Sequence, residues 1–519
     1  MSLLRYLIPG LVIQAVLVGG GYSTGRELVE FFLFSGPATA LPAMALTAAY
    51  FSLGSMVSFE LARQYRAFDY RSFCRVYSGR FWVLFEWARN PYVLVITVYV
   101  YATYFTRDIV GDPVRGQALW AAIQGYSGLA VAVTAPFLGA IADAGGRRKP
   151  WIAFFAILLA ASTAALWFGK PGGEGLGLIG IGAAIALGNL GYDGSLVFHG
   201  AMLPSLVHER QIGRWSGLGY ALGNVAGIVL LIFVLAFIYL PAQPLFGLDR
   251  TAHEHERISG PLCALWFAVF SLPFFLWAPD RPSKRLPVAQ AVRRGLASVA
   301  HTIKSLGHYR NVAAYLGVRM IYNDGLNVML SFGGVYAAGV FHWGVVESAS
   351  YGILLSIFAA LGGLLGGRLA DNIGTKRALQ LSVGVMIAAA LLSLGFAPDR
   401  LFFVISYQAG TPVAALPVFR TAPELFYIAT VMLIAMCLVA TYANSRAMMA
   451  RIAPESRMTE FFGLYALSGE ATAFMAPLAV ALATQLSGSQ QWGMAAIIGF
   501  LAIGFIGLAF VREERAVAV

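Results

Sequence analysis

The chain has 519 residues, of which 59% are hydrophobic and only 12% are charged, and its mean hydropathy is +0.71. Soluble proteins are about 25% charged, so these charges are too few to coat a soluble protein of this length. A β-barrel is excluded as well, because its alternating strands contain no long apolar runs. The composition therefore predicts an all-α polytopic membrane protein. We attribute the net charge of +11 to basic cytoplasmic loops rather than to nucleic-acid binding.

Segments of about 20 apolar residues, long enough to cross a bilayer, recur along the whole chain. Two of them, spans a and b, lie near 5–34 and 37–60. Twelve more follow residue 82 and are numbered spans 1 to 12. Their approximate limits are 83–106, 118–142, 150–169, 177–206, 214–240, 259–278, 311–338, 346–370, 378–397, 423–450, 459–485 and 490–511.

The loops between these spans differ in positive charge. The loops after even-numbered spans, together with the C-terminus, hold 18 Lys and Arg residues, whereas the opposite loops hold 7. Because positive residues concentrate in cytoplasmic loops, the even loops and both chain termini are predicted to be cytoplasmic.

The longest loop of the body joins spans 6 and 7 and divides the chain. It is basic and contains 286-LPVAQAVRRGLASVAHTIKSLG-307, which predicts an amphipathic helix on the inner membrane surface. The predicted organisation is a two-helix appendage at 1–80, a six-helix bundle at 83–278, a cytoplasmic linker at 279–310 and a second six-helix bundle at 311–515.

The two sets of six spans repeat each other. The segment 139-GAIADAGGRRK-149 follows span 2, and 367-GRLADNIGTKR-377 follows span 8. Spans 4 and 10, and spans 5 and 11, also share short motifs in the same order. The duplication predicts two parallel repeats around an axis normal to the membrane.

The repeated Gly-x-x-x-Asp-x-x-Gly loop with basic residues resembles the signature loop of the major facilitator superfamily. Over about residues 83–515, blocks such as 86-EWARNPY-92 and 322-YNDGLN-327 resemble its vacuole-effluxer-like branch. The resemblance implies the major facilitator fold of 6+6 transmembrane helices, here with two extra N-terminal helices, and a secondary transporter rather than an enzyme. Residues 1–80 are instead similar to the start of bacterial amino-acid/polyamine/organocation transporters.

The repeated loop is predicted to act as a conformational latch. Asp143 ends span 2 where it can cap a neighbouring helix or pair with Arg147 or Arg148. The alternative is a basic turn that only satisfies the topology rule. The predicted latch residues are Gly139, Asp143, Gly146, Arg147, Arg148, Gly367, Asp371, Gly374, Lys376 and Arg377.

Polar residues inside the spans concentrate on spans 1, 4, 7 and 10, which line the cavity in the major facilitator fold. An ionised group at mid-membrane costs roughly 3 kcal/mol, so it needs a partner or a function. Asp193 and Asp324 are the best candidates for a proton-coupling or amine-binding carboxylate; the alternative is a static Asp–Arg pair that holds the halves together. The predicted substrate or coupling set is Asp193, Asp324, Arg319, Tyr322, Asn323, Asn327, Asn189, Tyr192, His199, Asn444, Arg446 and Glu470. Span 1 also carries Glu86, Arg89 and Asn90.

Three short segments of the chain predict local structure or metal binding. Asn90–Pro91 and Asp324–Gly325, at nearly symmetry-related positions, each weaken a helix and predict local unwinding or an ordinary kink. The His-x-His of 252-AHEHER-257 has a spacing that can bind a metal weakly, but a solvated charged loop is the favoured interpretation. No phosphate-binding loop, nucleophile elbow or His/Glu metal motif is present in the sequence, so no cofactor and no metal are predicted.

The resemblance implies proton-coupled export of a small organic solute such as an amino acid. The predicted partners are this solute, protons and the lipid bilayer of a bacterial inner membrane, with no nucleic acid; the oligomeric state is left open. A drug- or lipid-like exporter and a transport-dead receptor or assembly protein stay as alternatives.

Overall fold

The computed structural model describes residues 70–514 apart from short gaps at 174, 240, 242–243, 283–286, 305–308, 344, 414–417 and 474. The predicted spans a and b lie outside the described residues. We label the twelve principal helices α1 to α12, so that each number matches that of a predicted span.

Each half contains six principal helices. The first half comprises α1 at Tyr70–Arg89, continuing through Tyr92–Tyr99, Tyr101–Tyr104 and Phe105–Ile109, then α2 at Pro113–Gly145, α3 at Lys149–Ala165, α4 at Gly177–Leu206, α5 at Ile212–Val234 with Leu235–Tyr239, and α6 at Ser259–Trp277. The second half comprises α7 at Arg310–Phe341, α8 at Val345–Ile373, α9 at Thr375–Ser393, α10 at Ala422–Ile452, α11 at Met458–Glu470 and Met475–Ser487, and α12 at Gln490–Ala509.

Shorter elements occupy the connections. An amphipathic linker helix at Val288–Lys304 joins the halves, as the sequence predicts, and a four-residue helix at Glu254–Arg257 precedes α6. The antiparallel strands β1 (Arg400–Leu401) and β2 (Ile405–Ser406) form a hairpin between α9 and α10. Single 3₁₀ turns lie at Leu166–Phe168, Pro171–Gly173, Glu209–Gln211, Leu245–Gly247 and Glu455–Arg457.

Within the described residues, nine helices are long and apolar enough to cross a membrane. The other three predicted spans correspond to α1, which is interrupted, to α7, which carries charged residues, and to α11, which is split into two shorter segments. Large apolar side chains such as Ile157, Ile179 and Leu265 are exposed on the surface, as expected where lipid replaces water. These features define a multi-pass membrane protein.

The two weak points predicted in α1 and α7 behave differently. In α1 the α-helix ends at Arg89, next to the Asn90–Pro91 pair, and the chain continues as a π-helix over Tyr92–Tyr99. Proline removes a backbone donor and clashes with the preceding turn, which accounts for the change. By contrast, α7 does not unwind at Asp324–Gly325, because glycine keeps its N–H and costs a helix only about 1 kcal/mol.

Glycines allow the two halves to approach closely. Helix α5 packs on α8 and helix α2 packs on α11. A Cβ atom on Gly217 would collide with the main chain of Gly363, and one on Gly139 with the main chain of Thr459. Small residues permit such backbone contact between membrane helices. The halves are therefore in tight contact toward the ends that carry the repeated loops, which we call the latch side.

Candidate functional site

A cavity of 160 Å³ lies between the two halves. Its wall combines charged groups, amides, hydroxyls and aromatic rings, the mixture typical of a small-molecule site. It is lined by Gly128, Val131, Asp193, Leu196, Val197 and Tyr220 of the first half and by Arg319, Asn323, Asn327, Tyr442, Arg446, Phe462, Tyr465, Ala466 and Gly469 of the second half.

Arg319 of α7 brings a positive charge to this wall. The residue is 6% exposed, and its guanidinium donates hydrogen bonds to the Tyr465 carbonyl and the Ser468 hydroxyl, both at 2.6 Å. It also stacks 3.5 Å from the centre of the Tyr465 ring. Among the described residues no carboxylate lies within 4.0 Å of its guanidinium. A buried cation of this kind favours an anionic ligand.

Arg446 of α10 is buried too, but it is paired. Its guanidinium lies 2.5 Å from the Glu86 carboxylate of α1 and donates to the hydroxyl and carbonyl oxygens of Ser216 of α5, at 3.0 and 2.8 Å. The same Glu86 binds Arg89 at 2.7 Å. Arg446 therefore ties the second half to the first. The acid of this pair is Glu86, which sequence analysis noted on span 1 but left out of the candidate set.

His199 packs behind this ion pair and does not line the cavity. It is fully buried and stacks on Trp82 at 4.5 Å, with its Nε2 2.9 Å from the Trp82 carbonyl. Its Nδ1 lies 3.4 Å from the Glu86 carboxylate. The ring therefore supports Glu86 rather than contacting a solute.

Two other predicted residues of α4 make contacts within the first half. Asn189 accepts a hydrogen bond from Tyr92 at 2.9 Å and donates to Ser127 and Gln124. Tyr192 donates to the Asn90 side chain at 3.3 Å, and its ring lies under Arg89.

The predicted residues of the second half divide in the same way. Asn323 and Asn327 line the cavity, and Asn327 accepts a hydrogen bond from Tyr442 at 2.8 Å. Tyr322 instead contacts the Ser445 hydroxyl at 2.8 Å. Two further residues, Asp324 and Asn444, are buried outside the cavity lining, and Glu470 ends the first segment of α11.

The aromatic part of the cavity lies outside the predicted substrate or coupling set. Tyr220, Tyr442, Phe462 and Tyr465 contribute rings to its wall. Aromatic residues are common throughout membrane spans, so a single sequence offers no signal that separates these four from the others.

The first latch loop joins α2 to the N-terminus of α11. The Asp143 carboxylate accepts hydrogen bonds from the backbone N–H groups of Thr459 and Glu460, at 2.6 and 3.1 Å, and from the Thr459 hydroxyl at 2.7 Å. It also pairs with Arg148 at 3.0 Å. Arg148 is itself fully buried and donates to the Ala201 carbonyl at 2.7 Å. A carboxylate at a helix N-terminus satisfies free N–H groups and complements the helix dipole.

The second latch loop repeats this cap between α8 and α5. Asp371 accepts from the backbone N–H groups of Gly213 and Arg214 at 3.0 and 2.7 Å and pairs with Arg451 at 2.9 Å. Gly146 and Gly374 have φ angles of +90° and +92° in the two loops, a conformation that favours glycine. The remaining latch candidates have different surroundings. Arg147 and Arg377 are exposed. Lys376 donates a hydrogen bond to the Ala509 carbonyl, and Gly367 packs against the main chain of Gly213.

A second pair of carboxylates caps the helices that follow the latch loops. Asp280, after α6, accepts from the backbone N–H groups of Arg148 and Lys149, both at 3.1 Å. Glu513, after α12, accepts from those of Thr375 and Lys376, both at 3.0 Å. The latch side is therefore closed by equivalent caps in both repeats.

The 252-AHEHER-257 segment differs from its prediction as a solvated loop. His255, Glu256 and Arg257 are buried, at 8%, 4% and 3% exposure. Arg257 is anchored by a 2.6 Å hydrogen bond to the Trp167 carbonyl and stacks on the Trp167 ring, which draws the segment into the protein.

Two halves of six helices, a cavity between them and carboxylate-capped latch loops define a secondary transporter of the major facilitator superfamily. Solved structures agree on this fold. The proton:xylose symporter XylE has a TM-score of 0.58 at 12% identity, over 86% of this chain and 98% of that chain. An outward-facing bacterial homologue of the iron transporter ferroportin has a TM-score of 0.57 at 14% identity, over 84% and 99%. At these identities the likeness concerns the fold alone.

The chain belongs to the vacuole effluxer Atg22 like family, whose profile matches residues 106–518. The uncharacterized MFS-type transporter YxiO of Bacillus subtilis is 25% identical over 445 residues, which cover 84% of this chain and 95% of that protein. Autophagy-related protein 22 of Cryptococcus neoformans is 22% identical over 306 residues, 58% of this chain and 51% of that protein. The predicted family and fold class are confirmed.

Proposed function

We propose that this transporter exports a small organic solute that carries a carboxylate, such as an amino acid, and couples the movement to protons. The observation that carries the proposal is Arg319, a buried guanidinium in the cavity wall with no carboxylate in contact among the described residues. A solute carboxylate would bind it through charge-assisted hydrogen bonds, which are about twice as strong as neutral ones.

The other side of the cavity supplies the complementary charge. Asp193 belongs to α4 of the first half, whereas Arg319 belongs to α7 of the second half. A zwitterionic solute therefore binds both halves at once, its amine at Asp193 and its carboxylate at Arg319. An acidic group that meets water in one conformation and a cation in another changes its proton affinity. On this basis Asp193 is our first candidate for proton coupling.

The proposed orientation places the latch side in the cytoplasm of a bacterial cell, with the chain in the inner membrane and both termini inside. Its basis is the excess of positive residues in the even-numbered loops. With the latch side closed by the Asp143 and Asp371 caps, this orientation makes the described state outward-facing.

The experiment is transport of labelled amino acids by the purified protein in proteoliposomes with an imposed pH gradient. Arg319→Gln should lower the initial rate at least tenfold while leaving the melting temperature in detergent unchanged. Arg400→Gln, at an exposed arginine of β1, is the matched control and should transport at the wild-type rate. Normal transport by Arg319→Gln would overturn the assignment, and transport only of neutral aromatic drugs would favour the alternative exporter.

Proton coupling needs its own measurement. Asp193→Asn should still exchange labelled for unlabelled solute across the membrane, but the imposed pH gradient should no longer drive accumulation. Asp324→Asn serves as the comparison, since Asp324 is 1% exposed and lies outside the cavity lining. If Asp193→Asn accumulates solute as well as the wild type does, Asp193 is not the coupling group.

A further inference from the structure

A cluster of histidine and acidic side chains lies between the end of α1 and the start of α6. These ends of the two helices are opposite to the latch side. We propose that Asp108, His253 and Glu256 bind a divalent transition-metal ion of the Zn²⁺ type, with His255 beside them. These residues do not line the solute cavity, so the inference stands independently of the proposed function.

The geometry suits a metal ion. One ligand-type atom from each of Asp108, His253 and Glu256 lies within 4.8 Å of the other two. The Nδ1 of His253 is 3.5 Å from the Glu256 Oε2, and the Nδ1 of His255 is 2.9 Å from the same oxygen. Two ligands of a tetrahedral ion with bonds of about 2.0–2.1 Å lie about 3.4 Å apart, close to the first of these separations.

Several ligand-type atoms of this cluster make no hydrogen bond to the rest of the described chain. The Asp108 Oδ2, the His253 Nδ1 and the Glu256 Oε2 are all buried, and none makes a hydrogen bond of regular geometry to the described residues, although the His255 Nδ1 lies 2.9 Å from the Glu256 Oε2. Glu256 and His255 are only 4% and 8% exposed. Buried polar atoms nearly always have a hydrogen-bond partner, so the unsatisfied atoms on Asp108, His253 and Glu256, residues whose ligand-type atoms lie within 4.8 Å of one another, need an explanation. A cation held between them satisfies these atoms together.

The nearby arginines do not fill this role. Arg257 directs its guanidinium to the Trp167 carbonyl and the Ala252 carbonyl. Arg107 lies 3.5 Å from the Asp108 carboxylate, but its side chain is 59% exposed, and an exposed ion pair of this kind contributes little. The charge of the two carboxylates is therefore available to a bound ion.

The mixture of ligands selects the type of ion. Imidazole nitrogen combined with carboxylate oxygen favours Zn²⁺ and neighbouring divalent transition metals over Ca²⁺ and Mg²⁺, which prefer oxygen alone. Because Asp108 ends α1 and the other residues precede α6, the ion would hold these two helices together within the first half.

The test uses the tag-free full-length protein, stripped with a chelator and dialysed against Zn²⁺ or Co²⁺. The wild type should retain one ion per chain, raise its melting temperature on binding, and show the visible absorption of Co²⁺ bound to nitrogen and oxygen. His253→Gln and Asp108→Asn should each weaken binding at least tenfold. The matched control is His342→Gln, at an exposed loop histidine with the same φ of +55° as His253, which should bind like the wild type.

Two results would overturn the site: a wild-type protein that retains no stoichiometric ion, or equal retention by all four proteins. If the His253 and Asp108 variants fail to accumulate, the wild-type Co²⁺ spectrum decides the question. A spectrum of hydrated Co²⁺ after dialysis contradicts the proposal, and a shifted and intensified band supports it.

Discussion

Arg319 and Arg446 reach the same cavity from the second half and are buried to a similar extent, but their surroundings differ. Arg446 lies against the Glu86 carboxylate and between the rings of Trp82 and Tyr220. Arg319 has carbonyl, hydroxyl and ring contacts, but no carboxylate in contact among the described residues. The protein neutralises the charge of Arg446 with a carboxylate, whereas in our proposal the charge of Arg319 is available to a ligand.

The difference indicates how the chain divides its few intramembrane charges between structure and binding. An ion pair with one member in each half fixes one arrangement of the halves. Removing one member leaves the other as an uncompensated buried charge. A charge without a carboxylate is costly for the protein alone, and in our proposal a bound solute compensates it. Substitutions at the two kinds of site should therefore separate stability from transport.

Glu86→Gln should have the largest effect on stability. The substitution leaves Arg446 and Arg89 buried without their shared carboxylate, a loss of about 3–5 kcal/mol for a buried pair. Unfolding of the purified protein in detergent would measure it. Glu209→Gln, at an exposed glutamate, is the control; equal stability of both variants would contradict the structural role of the Glu86–Arg446 pair.

The latch aspartates extend the comparison to the loops. Asp143 is more deeply buried than Asp371, and its partner Arg148 has a side chain 1% exposed, against 15% for Arg451. Asparagine keeps one acceptor oxygen but loses the charge and the second acceptor. Asp143→Asn should therefore shift the equilibrium away from the closed latch by about 2 kcal/mol, or roughly thirty-fold, and Asp371→Asn by less.

Labelling of single cysteines placed in the cavity, from each side of the membrane, would report this shift. The accessible fraction from the latch side should rise more for Asp143→Asn than for Asp371→Asn. An exposed loop residue of the same motif, Arg147→Gln, should leave the ratio unchanged. An unaltered ratio in Asp143→Asn would show that the loop is only a topological turn.

Sequence patterns predicted the fold because membrane crossing and duplication leave strong signals. Apolar length, basic loops and the repeated Gly-x-x-x-Asp-x-x-Gly loop are each encoded over short stretches. The capping residues Asp143 and Asp371 belong to this short motif. The residues whose N–H groups they cap, Thr459 and Gly213, lie far away in the sequence. The motif therefore identified the carboxylates but not the helices that they cap.

The cavity was only partly predictable, for a physical reason. A polar residue in a span can face solute or a neighbouring helix, and sequence alone does not distinguish these surroundings. Arg319 and Asp193 face the cavity, whereas Tyr322 and Asn189 form hydrogen bonds between helices. Glu86 falls at the end of α1, just before the Asn90–Pro91 interruption, so its contact with Arg446 across 360 positions has no local signature.

Arg319→Lys should sharpen the comparison between the two arginines. Lysine keeps the positive charge but cannot present a planar pair of donors to a carboxylate. Transport by this variant should fall about tenfold, which is about 1.4 kcal/mol of binding free energy, while the melting temperature stays within a few degrees of the wild type. The ratio of transport rate to bound solute, measured on the same proteoliposomes, separates weaker binding from slower movement. Wild-type affinity in Arg319→Lys would mean that charge alone suffices.

The smallest effect is expected for Glu513, whose side chain is partly exposed. Burial raises the pKa of this carboxyl, but the hydrogen bonds from the Lys376 and Thr375 backbone N–H groups and the pairing with Arg451 outweigh it, and the pKa lies below its ordinary value of 4.5. A group with a lowered pKa in the folded state stabilises it above the unfolded-state pKa, and this contribution is lost as the pH falls through the folded value. The free energy of unfolding should therefore decline below about pH 4.5, by less than about 1 kcal/mol for a partly exposed pair.

Glu513→Gln, which cannot ionise, should begin less stable at pH 7 and approach the wild type as the pH falls. Parallel stability curves for the two proteins between pH 7 and pH 3 would show that the Glu513 cap contributes nothing to the closed latch side.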